Sequence, residues 1–307
     1  IVARIGVDQY GLLSLALAIL GILVTISMMG FNQGIVRYIA YYKGKEDYSK
    51  IKGTIVFALK ITLSISLVLG ILVFLFSEDI AIKIFQNSNL AQILKIIIFA
   101  LPLTVLSTIL IGVIEGFQKV KYEVLSKNVG ENIVKISLTL ILIFLGYNLL
   151  GAVIAYVIAS LVTLILTLYF VQKKIFPFLS KKIIALDVKK ELIKYSWPLT
   201  LTGVIMLVIA WTDTIMLGLF KSSYDVGIYN ASLPTAQILY IVPYALSILF
   251  LPVLTELFAK KEMSTFRSTY KTTTKWIFMT NIILLALFVM FPDKILSLLF
   301  GSNYIEG

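Results

Sequence analysis

The sequence contains no cysteine and no histidine. Without cysteine there is no disulfide, no thiol nucleophile and no thiolate metal site. Without histidine the commonest metal ligand and general base is missing as well, which leaves hydrolytic zinc chemistry without its usual ligands. Charge is sparse: Asp, Glu, Lys and Arg make up 14% of 307 residues, and only 16 of them are acidic. The short two-residue alternation of barrel strands is also lacking, because the apolar runs are long and apolar on nearly every face.

What is present is hydrocarbon. The chain is 59% hydrophobic, with a mean hydropathy of +0.98, far beyond a soluble globular domain. Apolar stretches of roughly 20 residues recur along it, each about what a helix needs to cross a bilayer. Inside lipid only helices and closed barrels satisfy their own backbone. The sequence therefore reads as an all-α polytopic membrane protein. Eight spans are expected, near residues 10–30, 53–77, 92–115, 127–146, 149–171, 197–219, 228–255 and 275–292.

The connections alternate in charge. Residues 31–52, 116–135, 172–196 and 256–275 carry 21 of the 27 basic side chains, and the connections between them carry almost none. The positive-inside rule places those four stretches on the cytoplasmic side of the inner membrane. A net charge of +11 also raises a nucleic-acid surface, but the lysines sit where topology needs them, without aromatic–basic interleaving. No nucleic-acid partner is expected. Membrane lipid is.

An internal duplication is visible. "FSEDIAIKIF" (76–85) matches "FPDKILSLLF" (291–300) at an offset of 215, "YGLLSLAL" (10–17) matches "VGIYNASL" (226–233) at 216, and "KGKEDY" precedes one span as "KEMSTF" precedes another. Matched spans run in the same direction, so the repeats are parallel. The span at 197–219 precedes the second repeat, and its counterpart would lie before Ile1. The expected division is an N-terminal lobe over 1–171, a cytoplasmic linker over 172–196 and the start of a C-terminal lobe over 197–307. On this reading the chain is a fragment without the first helix and without the C-terminal part.

Several polar residues fall inside these spans. Glu131 and Lys135, with Asn128, Asn132 and Thr139, form a stripe at i, i+4 spacing, in the favourable order for an ion pair. A juxtamembrane turn is the alternative. Lys60 lies two turns into the second span, where it either faces a cavity or snorkels to the interface. Arg37, just past the first span, reads as a positive-inside anchor. Pro234, Pro243 and Pro252 recur every nine residues, and each invites a kink. Asn230, Gln237, Tyr240 and Tyr244 share roughly one face there. Asp213, in "AWTDTIMLGLF", has no charged neighbour in sequence, and its helix face carries Gly203, Met206 and Ala210. A carboxylate beside hydrocarbon is costly. It lines a cavity, bonds a neighbouring helix or sits at the interface. Within a cavity it would serve as a proton or Na⁺ site or as an acceptor for sugar hydroxyls.

"ARIGVDQYGLLSLALAI" followed by "GIVRYIA", the "DTIMLGLF…VGIYNASLP" block and "LLFGSNY" resemble the oligosaccharide-lipid and polysaccharide flippases, O-antigen flippases among them. That branch shares a superfamily with the multidrug (MATE) exporters and lipid II flippases. The resemblance implies twelve to fourteen helices in two lobes around a central cavity, and alternating access. It also implies an undecaprenyl- or dolichyl-linked sugar headgroup as substrate, with no covalent chemistry, no cofactor and no catalytic residue. Coupling to H⁺ or Na⁺ and contact with glycan-assembly proteins are further expectations. A drug or cation antiporter is the nearest rival and would favour carboxylates in the cavity. A glycan polymerase or ligase would need a substantial outside loop, whereas the outside connections span about 14, 2 and 8 residues.

Overall fold

The computed structural model describes residues 2–305. Helix α1 (Val7–Met28) is long enough to cross a bilayer and ends where Met29 and Gly30 both take positive φ, 43° and 70°. The chain then continues as α2 (Phe31–Gly44). Residues 31–44 were expected to begin a connection. They form a helix because Phe31, Ile35, Ile39 and Tyr42, spaced three to four apart, give it a fully buried face.

Helix α3 (Tyr48–Leu75) starts under an Asp47 cap, whose carboxylate accepts the Lys50 N–H at 3.0 Å. A short helical and π-helical turn over 77–84 leads to α4 (Asn89–Ile97) and α5 (Ala100–Gly116), bent by 40° at their junction. Pro102 explains the bend: it has no N–H for the carbonyl of Ile98, four residues back. Two wide π-turns over Val124–Glu131 precede α6 (Asn132–Phe144), and a tight turn joins it to α7 (Asn148–Phe170). Next come α8 (Lys189–Phe220), α9 (Ser223–Gln237), a 3₁₀ turn over Ile238–Tyr240, α10 (Ile241–Ala259), α11 (Met263–Met290) and α12 (Pro292–Phe300).

Among the described residues six helices are long and apolar enough to span a membrane, with α9 and α10 counting as one, and seven if the bent α4–α5 pair is one span. The all-α polytopic architecture expected from composition is therefore present. The fourth expected span, 127–146, is helical but is not among these spans. Lys127, Asn128, Glu131, Asn132 and Lys135 crowd its first half, and the π-turns break it before α6.

The chain divides into two compact units, Ala3–Val226 and Gly227 onward. In the first, α5 is central. Leu101, Val105, Ile109, Val113 and Ile114 are fully buried there. Gly112 and Gly116 on α5 let α2 come close: a Cβ on Gly116 would lie 2.7 Å from the Cβ of Ile39. This is the small-xxx-small contact of membrane helices. Compactness also groups α8 with this unit, although the sequence reading divides the lobes at 172–196.

In the second unit α10 packs along α11. Pro243 cannot donate to the carbonyl of Leu239. The Asn281 side chain on α11 donates to it instead, at 3.1 Å, so a neighbouring helix satisfies the group that the proline releases. Asn281→Leu is expected to lower stability by about 1–3 kcal/mol, the cost of an unmade buried hydrogen bond. Thermal unfolding in detergent measures it.

The duplication recurs in the element boundaries. Helices α3 and α11 start 215 residues apart, at Tyr48 and Met263, and end 215 apart, at Leu75 and Met290. Positive φ recurs at the same offset, at Glu46 and Lys261 and again at Gln86 and Gly301.

Candidate functional site

The site is built on the contact between α2 and α8. Gly30, the residue before α2, and Gly34, one turn into it, face Ser196 on α8. A Cβ on Gly30 would meet the Ser196 carbonyl oxygen at 2.3 Å, and one on Gly34 would meet the Ser196 hydroxyl at 2.2 Å. The backbones touch there, and Ser196 is buried. Farther along, α8 holds away from α1 by the Trp211 ring, which is seated against Gly21. Between these two contacts lies a cavity of about 370 Å³.

Its polar lining comes from four helices: Thr25 on α1, Asn32 and Gln33 on α2, Thr108 on α5, and Thr200 and Thr202 on α8. None of the lining residues is charged. Thr25 and Thr108 donate their hydroxyls to carbonyls one turn back, at 2.9 and 2.8 Å. Their lone pairs therefore remain as acceptors, and the two carboxamides supply both donors and acceptors. Phe31 packs edge-on against Phe57, nine residues into α3, so the carboxamides lie roughly 14 Å above the lysine-rich end of that helix.

One turn beyond Gln33, Arg37 stands at the lysine-rich mouth of the cavity. Its guanidinium carbon lies 4.2 Å from the centre of the Tyr195 ring, a cation–π contact. Arg37 is exposed and forms no ion pair among the described residues. Beside it Tyr38 donates to the Glu191 carbonyl at 3.2 Å, and Tyr42 donates to the Glu191 carboxylate. Burial, then that carboxylate, push the Tyr42 phenol well above its usual range. Lys45 and Lys50 lie over the rings of Tyr41 and Tyr42. The lysine-rich end thus does interleave rings and cations. Arg37 with Tyr195 and Lys50 with Tyr42 meet across helices, out of reach of the sequence, whereas Tyr41 and Lys45 stand four residues apart and were legible in "YYKGK".

The residues singled out in the sequence are scattered. Gly203, Met206 and Ala210 line the cavity. Asp213 continues their stripe one turn on and is exposed, next to Thr214, which is buried. Lys60 lines a separate cavity of about 210 Å³ under residues 185–189. Glu131 does not pair with Lys135. It accepts a hydrogen bond from Thr163 on α7 at 3.3 Å, because α6 packs along α7. Lys135 is half-buried, Asn128 and Asn132 are exposed, and the Asn132 amide donates to the Asn128 carbonyl at 2.8 Å. In the second unit Gln237, Tyr240 and Tyr244 are exposed and Asn230 is half-buried. Pro234 lies inside α9, and Pro243 and Pro252 lie in α10. The 3₁₀ turn between these helices shifts the face that the four polar residues were expected to share. Asn32, Gln33, Thr200 and Thr202 were not singled out, although "GFNQG" carries the Gly-xxx-Gly spacing that brings α8 onto α2.

The sequence pattern that defines a family described as "Polysaccharide biosynthesis protein" matches residues 1–258. The chain belongs to that family. Two relatives are similar over nearly the whole chain. An "Uncharacterized membrane protein" of Methanocaldococcus jannaschii is 25% identical over 97% of this chain, which spans 61% of that relative's length. A Shigella flexneri protein named "Putative O-antigen transporter" is 20% identical over 98% of this chain and 71% of its own. Among solved structures, an inward-facing multidrug resistance MATE family transporter of the MOP superfamily superposes with a TM-score of 0.80, covering 99% of this chain and 73% of that one, at 15% identity. The family member described here shares that transporter's fold.

Proposed function

We propose that the chain forms the larger part of a membrane exporter that passes the sugar headgroup of a lipid-linked oligosaccharide through the cavity between α1, α2, α5 and α8. The observation that carries the reading is the lining of that cavity: hydroxyls and carboxamides between helices, without a carboxylate, one turn from Arg37. Sugar hydroxyls donate and accept, as these groups do. The unpaired guanidinium suits a pyrophosphate. A cation antiporter would place carboxylates in the lining itself, whereas Asp213 lies one turn beyond the lining residue Ala210. The family and the name of the Shigella relative support a role in cell-surface polysaccharide export. Lys60, Glu131, Lys135 and the polar residues of α9 and α10 are proposed as later contacts along the path. The lobes proposed to rock are 1–171 and 197–307, joined by 172–196, with no bond made or broken. Flipping of a fluorescent lipid-linked oligosaccharide by the full-length protein in liposomes tests the reading. Loss of headgroup accessibility on one leaflet is expected, and no flipping with or without an ion gradient overturns it.

The lysine-rich end is proposed to face the cytoplasm across the inner membrane. Leu179 in the 172–196 connection and Ser88 in the 78–91 connection are both exposed. In this cysteine-free chain Ser88→Cys is expected to react with an impermeant thiol reagent on intact cells, and Leu179→Cys only after lysis. The reverse pattern rejects the topology.

Asp213 is proposed as the H⁺ or Na⁺ coupling group, next along the Gly203–Met206–Ala210 stripe. Asp213→Asn keeps size and hydrogen bonding but removes charge. It is expected to uncouple flipping from the ion gradient. A wild-type rate with unchanged gradient dependence would assign Asp213 a structural role.

A further inference from the structure

A second polar cavity, of about 340 Å³, opens at the lysine-poor end of the first unit. It lies where the start of α1, the start of α4 and the α6–α7 turn converge. Four carboxamides from these three places line it: Gln9, Asn89, Gln92 and Asn148. Gln9 and Thr25 are sixteen residues apart on α1, which separates this cavity from the central one by roughly 24 Å.

Three features of its chemistry point the same way. The walls carry no charged side chain; Lys95, one turn from Gln92, is paired with Glu78 at 2.7 Å, and the Arg4 guanidinium lies over the Phe144 ring. Each carboxamide offers both a donor and an acceptor, the combination that a sugar hydroxyl matches. The side-chain oxygen of Gln9 is enclosed by protein and has no hydrogen-bond partner among the described residues, so turning the amide to present it to the cavity breaks no bond to that oxygen. Tyr147, Leu12 and Ile93 add an apolar surface beside the amides, as the C–H face of a pyranose requires. The volume falls in the range of small-molecule sites.

We infer that this cavity is a second carbohydrate subsite, which holds a neutral sugar at the lysine-poor end. It rests on the transport reading above only for its place in the path, as the station where the headgroup leaves. Its recognition chemistry stands by itself: hydroxyl-bearing and uncharged, in contrast to the cationic mouth at the other end.

The test uses the full-length protein in nanodiscs. Asn89→Cys places a single thiol in the cavity wall, and its maleimide labelling is followed with glucose, galactose, mannose, rhamnose or an N-acetylhexosamine present, and with inorganic pyrophosphate. At a sugar concentration roughly four times its Kd, labelling should slow about fivefold by mass action, and pyrophosphate should have no effect. Gln9→Leu with Gln92→Leu should abolish the protection. Gln9→Leu alone should leave thermal stability unchanged, because it removes an acceptor that has no partner. A structural glutamine would instead register as a lower Tm. Saturation-transfer NMR on the wild-type protein repeats the comparison with all four amides in place. Protection by no sugar, together with no sugar-dependent NMR signal that Gln9→Leu/Gln92→Leu removes, overturns the subsite. Protection by pyrophosphate equal to that by sugars overturns its neutral character. Flipping that persists with neither sugar protection nor that NMR signal refutes the subsite and leaves the transport reading intact. Sugar protection in a protein that flips nothing does the opposite.

Discussion

Gly30→Val should remove most folded protein. Gly30 holds φ +70°, and a Cβ there would lie 2.3 Å from the Ser196 carbonyl oxygen and 3.0 Å from the Thr200 nitrogen. Both are backbone atoms, so no rotamer change relieves the clash. Left-handed φ in a β-branched residue costs on the order of 1–3 kcal/mol, and overpacking a close contact adds about 1–3 kcal/mol more. Together these are a large fraction of the stability of an ordinary domain. Gly44 at the end of α2 has nothing within 4 Å of its Cβ position and no positive φ, so Gly44→Val serves as the control. Monodisperse protein recovered in detergent, and its melting temperature, should fall sharply for Gly30→Val and stay close to wild type for Gly44→Val. Equal recovery of the two would show that α2 and α8 do not need their close approach.

Arg37→Ala should leave a folded protein that flips poorly. The guanidinium is exposed and rests on the Tyr195 ring, so its removal uncovers no buried charge. If it holds a pyrophosphate at the mouth, the lost charge-assisted hydrogen bonds are worth about 1.5–3 kcal/mol. That predicts a rate about ten- to a hundredfold lower at subsaturating substrate. Arg37→Lys should recover part of it, because an ammonium keeps the charge but loses the planar fork and the ring stacking. Initial flipping rates in liposomes, normalised to monodisperse protein, measure both variants. A wild-type rate for Arg37→Ala would return Arg37 to the role of a topological anchor.

The contrast between Arg37 and Lys60 shows what was legible. Both are single cations near the lysine-rich end of a helix, and sequence position alone does not rank them. Lys60 lies under residues 185–189, whose placement depends on Lys52 donating to the carbonyls of Ser180 and Ile183. Arg37 stands beside the polar cavity because Gly30 and Gly34 admit α8. Glu131 and Lys135 show the same limit from the other side. Their i, i+4 spacing permits an ion pair, but none forms; α7 brings the Thr163 hydroxyl within 3.3 Å of the Glu131 carboxylate while that hydroxyl also bonds the Ala159 carbonyl at 2.9 Å.

The sequence by itself determined that this protein is helical and lies in a membrane, that its basic residues collect at alternate connections, and that its repeat has a period near 215 residues. Each of these is written along one dimension, in composition, length and spacing, because lipid acts on every segment alike. Only the tertiary structure decided which polar residues line a cavity. Gly34 meets Ser196 across 162 positions of chain, and Asn32, Gln33, Thr108 and Thr200 become neighbours only when that contact forms. A helix that is apolar on most faces has no dominant moment to tell which side meets another helix and which meets lipid. Close packing at small residues makes that choice, and it takes two helices.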